Sequence, residues 1–141
     1  MNNDQANELA AAGAATKDKD GRACLNVAAF FPFQQDLTAG ELRLDMTQTV
    51  DGDADFYWRG TRFLDTGAGL LMRARFRLLN GYYLSNALWP MSLCDYESYT
   101  PEFRIPAGGF IGIEGQNNDV ATRKLKIVFI GVKRFYLEGP K

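Results

Sequence analysis

Apolar residues recur at every second position along most of this chain, and that period of two constrains its fold more than any other feature. Leu25, Val27, Ala29, Phe31 and Phe33 fall on one side of an extended segment that begins at Cys24. Successive side chains of a strand point to opposite faces, so such a run reads as a strand with one face buried. Pro32 lacks an amide donor and marks this strand as an edge or a strand end. Leu42, Leu44, Met46 and Val50 then alternate with Glu41, Arg43, Asp45, Thr47 and Thr49, which is the pattern of a half-buried antiparallel strand. Residues 55–63, DFYWRGTRF, are dense in strand formers. Over 70–79, Leu70, Met72, Ala74, Phe76 and Leu78 oppose Arg73, Arg75 and Arg77. Asn80-Gly81 follows as a strong hairpin signal, with 82–88 as the returning strand.

The stretch 89–101 reads as irregular. Short strands are expected at 103–105 and 110–114, and the most apolar strand at 124–135, KLKIVFIGVKRF. Turn signals stand at 36–40, 51–55, 66–69, 106–109 and 115–119, spaced as in an all-β sandwich or barrel. No long helical period competes. The expected fold is all-β, an antiparallel β-sandwich. The periodicity alone is equally compatible with a jelly roll and an immunoglobulin-like arrangement. At 141 residues the chain suffices for one such domain without disulfides or metal. Residues 23–141 are assigned to it. Residues 1–22 hold one large aliphatic residue, Leu9. They are expected to form a flexible N-terminal arm with a helical turn around 7–12, or an arm that orders on a neighbouring subunit.

Function classes fall away on composition. The chain has no histidine, which removes His-ligated zinc and His-activated nucleophiles. Cys24 and Cys94 are 70 residues apart and form no metal-binding spacing; two buried, reduced thiols are the expectation. No G-x-S-x-G elbow, P-loop or dinucleotide fingerprint is present. Residues 108–115, GGFIGIEG, lack the Lys-Ser/Thr and helix that would make them a phosphate loop. Asp51, Asp53 and Asp55 imitate the start of a calcium loop, but Phe56 and Arg62 occupy the positions where Gly and Glu are required. A polar hairpin turn is expected there, with no metal and no cofactor. The reading is non-enzymatic.

Net charge is −1, which argues against a nucleic-acid coat. The charge is polarised, with −6 over residues 1–55 and +5 over 56–141. No apolar run reaches the roughly 20 residues that cross a bilayer as a helix, and the first residues lack the pattern of a signal peptide. Arg73, Arg75 and Arg77 share a strand face. They are expected to be solvated or paired across the sheet, or to dock on an acidic protein partner. Tyr82, Tyr83, Trp89, Tyr96 and Tyr99 stand near turns and loops, where aromatic side chains serve either as interface anchors or as packing beneath a loop.

Four segments in order, DFYWRG at 55–60, RARFRLLNGYYLSNA at 73–87, EFRIPAGGFIGIE at 102–114 and IVFIGVKRFY at 127–136, resemble small structural proteins of tailed-bacteriophage particles. The resemblance covers about 80 residues of the chain and carries no catalytic signature. It implies a capsid cement, or decoration, protein with a jelly-roll-like sandwich. Such a protein is made in the host cytoplasm and binds the outside of the virion shell. Its partners would be the major capsid protein and itself, as a homodimer or homotrimer. A tail or head–tail connector module, and a jelly-roll carbohydrate- or receptor-binding module, are the rival expectations.

Overall fold

The computed structural model describes residues 3–9, 15–64, 66–78, 81–84, 88–90 and 96–137, the side chains of 3, 6, 9, 89, 90, 96 and 100 excepted. Among these residues a short helix α1 (Asn3–Leu9) precedes nine strands: β1 (Thr16–Lys17), β2 (Ala23–Leu37), β3 (Leu42–Thr49), β4 (Asp55–Phe63), β5 (Met72–Arg77), β6 (Trp89–Pro90), β7 (Tyr96–Ile105), β8 (Phe110–Asn117) and β9 (Arg123–Tyr136). They form a five-stranded sheet in the order β1-β2-β9-β4-β7 and a four-stranded sheet in the order β3-β8-β5-β6. Every pairing is antiparallel. The chain is thus the all-β antiparallel sandwich that its period of two implies.

The core lies between the sheets. Phe31, Leu37, Phe56, Trp58, Ile127 and Phe129 from one sheet meet Met46, Met72, Phe76, Ile111 and Ile113 from the other. Trp58 is fully buried and stands edge-on to Phe76 at 5.6 Å and to Phe129 at 5.5 Å. Its indole N–H donates to the Gly60 carbonyl and to Thr61 Oγ1, so the largest ring in the core leaves no donor unmet. Gly131 faces Trp58 across β4–β9. A Cβ at that position would overlap the Tyr57 carbonyl oxygen and lie 2.9 Å from Phe56 Cε2.

Asn117 ties the end of the sandwich together. It is fully buried, and its Nδ2 donates to the carbonyls of Leu37, Thr38 and Ala121. Its Oδ1 accepts from the Asp119 amide. One side chain therefore fixes both the turn after β2 and the β8–β9 loop.

Several elements differ from the sequence reading. In β3 the register slips between Arg43 and Met46, so one extra residue flips the side-chain phase. Met46 and Val50 are buried as expected, but Leu42 and Leu44 are exposed. Leu70 sits with Leu71 in a 3₁₀ turn, Gly69–Leu71, rather than in the strand, and both are exposed. The stretch read as irregular contains most of β7, which runs through Pro101 from Tyr96. That proline is tolerated because β7 is an edge strand. Among the described residues after Gly81, 82–84 and 88, the return shows an isolated bridge between Tyr83 and Arg77. Within the stretch read as an arm, Thr16 and Lys17 pair with Cys24 and Ala23, and α1 begins before residue 7.

Candidate interaction surface

The outer face of the four-stranded sheet is set by β5. Met72, Ala74 and Phe76 enter the core, so alternation sends Arg73, Arg75 and Arg77 outward. Opposite them β8 supplies Gln116, Glu114 and Gly112. Glu114 is only 3% exposed. Arg75 reaches its Oε1 with Nε and Nη2, each at 2.9 Å, and the Tyr83 ring lies 3.9 Å from the guanidinium carbon. Arg75 and Tyr83, two of the expected contact residues, are therefore engaged within the fold.

Arg73 and Arg77 meet no acid among the described residues. Arg77 lies across Gly112, where a Cβ would come within 3.0 Å of its Nε; the glycine makes room for the guanidinium. Tyr82 is 72% exposed at the hairpin tip, which the Leu78 amide bonded to the Tyr82 carbonyl closes. Leu42 and Leu44 stand on β3, beyond β8 on this sheet, freed from the core by the bulge. Unbroken alternation over 42–46 conceals that bulge; the register of the partner strand reveals it. The surface combines two cations without acidic partners among the described residues, an exposed aromatic ring and exposed leucines. Such a combination suits a protein contact with carboxylates.

Tyr99 is not an anchor on this surface. Its ring packs 4.9 Å from Trp58 and 5.2 Å from Phe103. Its hydroxyl sits 2.9 Å from Thr61 Oγ1 and donates to Glu97. It packs against the core from β7, the side of the alternative that needs no partner. The side chains of Trp89 and Tyr96, and Cys94, lie outside the described residues.

The aspartate triplet is occupied by the protein's own cations. Lys133 Nζ bridges Asp51 and Asp53, while Asp55 accepts from Arg104 and the Ala107 amide. Burial opposes ionisation of Asp53, yet the Lys133 ammonium holds its carboxyl below the usual range. No group of three or more metal-ligating side chains occurs among the described residues. Cys24 is fully buried, and burial pushes its thiol up, away from the reactive thiolate.

A second polar cluster stands where β9 ends. Tyr57 and Tyr136 place their hydroxyls 3.4 Å apart. Arg134 lies over the Tyr57 ring and Arg22 over the Tyr136 ring. The Tyr57 hydroxyl, then burial and Asp18, push the Tyr136 phenol up to about 12. Arg134 also pairs with Glu102, and Asp18 accepts from the Asp20 and Arg22 amides, so the cluster ties the start of β2 to β4 and β9. No family model matches the chain, and no curated protein matches it.

Proposed function

We propose that this protein is a non-enzymatic structural component of a tailed-phage particle, a decoration protein that binds the outside of the capsid shell and bridges neighbouring capsomers. The observation that carries the reading is the outer face of the four-stranded sheet. Arg73 and Arg77 lack acidic partners among the described residues there, and Tyr82, Leu42 and Leu44 are exposed beside the same sheet. The order of sequence segments that resembles phage structural proteins supports it, and two sheets between which the chain alternates are compatible with a jelly roll.

The physics of such a role needs no nucleophile. A bridging protein holds one subunit weakly, and its second contact is then intramolecular and benefits from effective concentration. It stabilises the mature shell by binding that state better than any other. Self-association as a dimer or trimer about a shell symmetry axis would multiply the effect.

The test is co-sedimentation of the protein with mature heads stripped of their decoration, titrated to saturation. Saturable binding at one or a few copies per capsomer is the expected result. Saturation at a handful of copies per particle would replace the reading with a connector or tail module. Absence of binding, with glycan binding instead, would replace it with a carbohydrate-recognition module.

A further inference from the structure

We propose that the outer face of the five-stranded sheet is a second docking surface, built for a protein partner with an apolar centre and carboxylates at one end. The inference rests on the decoration reading, in which a bridge must touch each of two neighbouring subunits.

The face is assembled from β2 and β9. Odd-numbered residues of both strands enter the core, among them Phe31, Leu37, Leu125, Ile127 and Phe129, so the even-numbered residues point outward. Register places Ala28 beside Val132, Phe30 beside Ile130 and Pro32 beside Val128. Five apolar side chains that reach solvent thus stand in adjacent rows, Val132 beside them being buried, and the rows span roughly 13 Å along the strands. A sheet face in water normally carries polar residues at these positions. Here Phe30 is 61% exposed, and Ala28 and Pro32 are exposed with it. A contiguous apolar patch on an outer face marks an interaction site.

Charge identifies the occupant. At one end of the strip, Arg62 lies beside Val128 and Lys126 beside Gln34, and neither cation meets an acid among the described residues. At the other end the acids are already engaged: Glu102 accepts from Arg59 and Arg134, and Asp55 from Arg104. Beyond Lys126, Asp36 faces Lys124. The cation end therefore holds Arg62, Lys124 and Lys126 against the one exposed carboxylate of Asp36, too few acids to answer the same cations of a second copy. A lipid headgroup layer would meet cations all round the rim, not at one end. Pro32 removes a backbone donor from the strand edge, which disfavours an added strand. What remains is a protein surface that covers Phe30 and Ile130 and presents carboxylates to Arg62 and Lys126.

Two variants test it against the parent in the stripped-head titration: Phe30→Asp, and the pair Arg62→Glu with Lys126→Glu. All three substituted side chains are outward, so each variant should melt within a few degrees of the parent. Should Phe30→Asp fail to fold, the charge pair still carries the test. Each folded variant is expected to bind at least tenfold more weakly. Parent binding should weaken with salt, and the charge pair should flatten that dependence. Folded variants that bind heads like the parent would overturn the second surface while leaving the decoration reading intact. A parent that does not bind heads would remove both. Light scattering that shows a dimer split by Phe30→Asp would assign the face to a second copy. Sedimentation with anionic phosphatidylserine vesicles that Phe30→Asp abolishes would assign it to a membrane. Either result overturns the proposal.

Discussion

Arg75 and Glu114 form an ion pair across β5 and β8 in which the acid is almost wholly buried, with side-chain exposure of 4%, and the base is partly covered, at 22%. Removing the base leaves a carboxylate without its counter-charge in a low-dielectric site, which costs about 3 kcal/mol or more. Arg75→Ala should therefore lower unfolding stability by about that amount in urea titrations. Arg73→Ala, two residues away and without an acid partner among the described residues, should change it by less than about 0.5 kcal/mol. The double change Arg75→Met with Glu114→Leu should recover most of the loss, since the pair is needed because each member is there. Equal effects of Arg75→Ala and Arg73→Ala would show that the pair does not hold the sheet.

This pair also shows how far the sequence could be read. Period-two alternation placed Arg73, Arg75 and Arg77 on one outward face, because burying Met72, Ala74 and Phe76 leaves no other choice. Alternation is a property of one strand, however, and pairing is a property of two. Which arginine meets Glu114 depends on the β5–β8 register, and nothing local encodes it. The same limit hid the β3 bulge, which exposes Leu42 and Leu44. Tyr99 was ambiguous for a related reason: its ring reaches the core because the pairs Gly60–Ser98 and Trp58–Phe103 hold β7 to β4 on either side of it. The apolar outer strip escaped the sequence reading because Val128 and Ile130 sit in a segment apolar on both sides.

Asn117 makes the clearest case for one polar side chain holding two loops. Asparagine offers two donor hydrogens and an acceptor. Its donors are spread over three carbonyls and its acceptor is taken by the Asp119 amide. Asn117→Asp keeps the shape, removes the donors and sets a carboxylate against those carbonyls. It should cost about 3 kcal/mol or more, beyond an ordinary lost hydrogen bond, because a charged acceptor is left buried against acceptors. Thermal melts at pH 7 would measure it, and partial recovery near pH 4, where the new acid is protonated, would identify repulsion as the cause. A melting temperature equal to the parent's would refute the role.

Tyr136 makes stability fall in alkali within a defined window. Its phenol is pushed up to about 12 in the folded chain, first by the hydrogen bond with Tyr57 and then by burial. An unfolded tyrosine ionises near 10. Between those values the native state binds more protons than the unfolded state, so stability declines as pH rises. The contribution is whole below about pH 10 and is lost as pH passes through about 12. Absorbance at 295 nm should show one tyrosine titrating late, and Tyr57→Phe should bring it back toward pH 10. If Tyr57→Phe leaves the late titration in place, the hydroxyl pair is not its cause.

Gly131 and Gly52 separate crowding from mere flexibility. Both are glycines without a positive φ, so an added methyl is judged on space alone. At Gly52 a Cβ would meet nothing within 4 Å; at Gly131 it would run into the Tyr57 carbonyl and the Phe56 ring. The β4 bulge at Arg59 and the packing of Trp58 opposite Gly131 both depend on that close approach. Forcing a methyl into a packed core typically costs 1–3 kcal/mol, and more where backbone must move. Gly131→Ala should therefore cost about 3 kcal/mol or more and alter the fluorescence of Trp58, whose packing it displaces. Gly52→Ala should be neutral or stabilise by a few tenths of a kcal/mol, since alanine reduces the freedom of the unfolded chain. Similar melting temperatures for the two variants would mean that β4 and β9 tolerate a wider separation at Gly131 than the close packing of Phe56 and Trp58 implies.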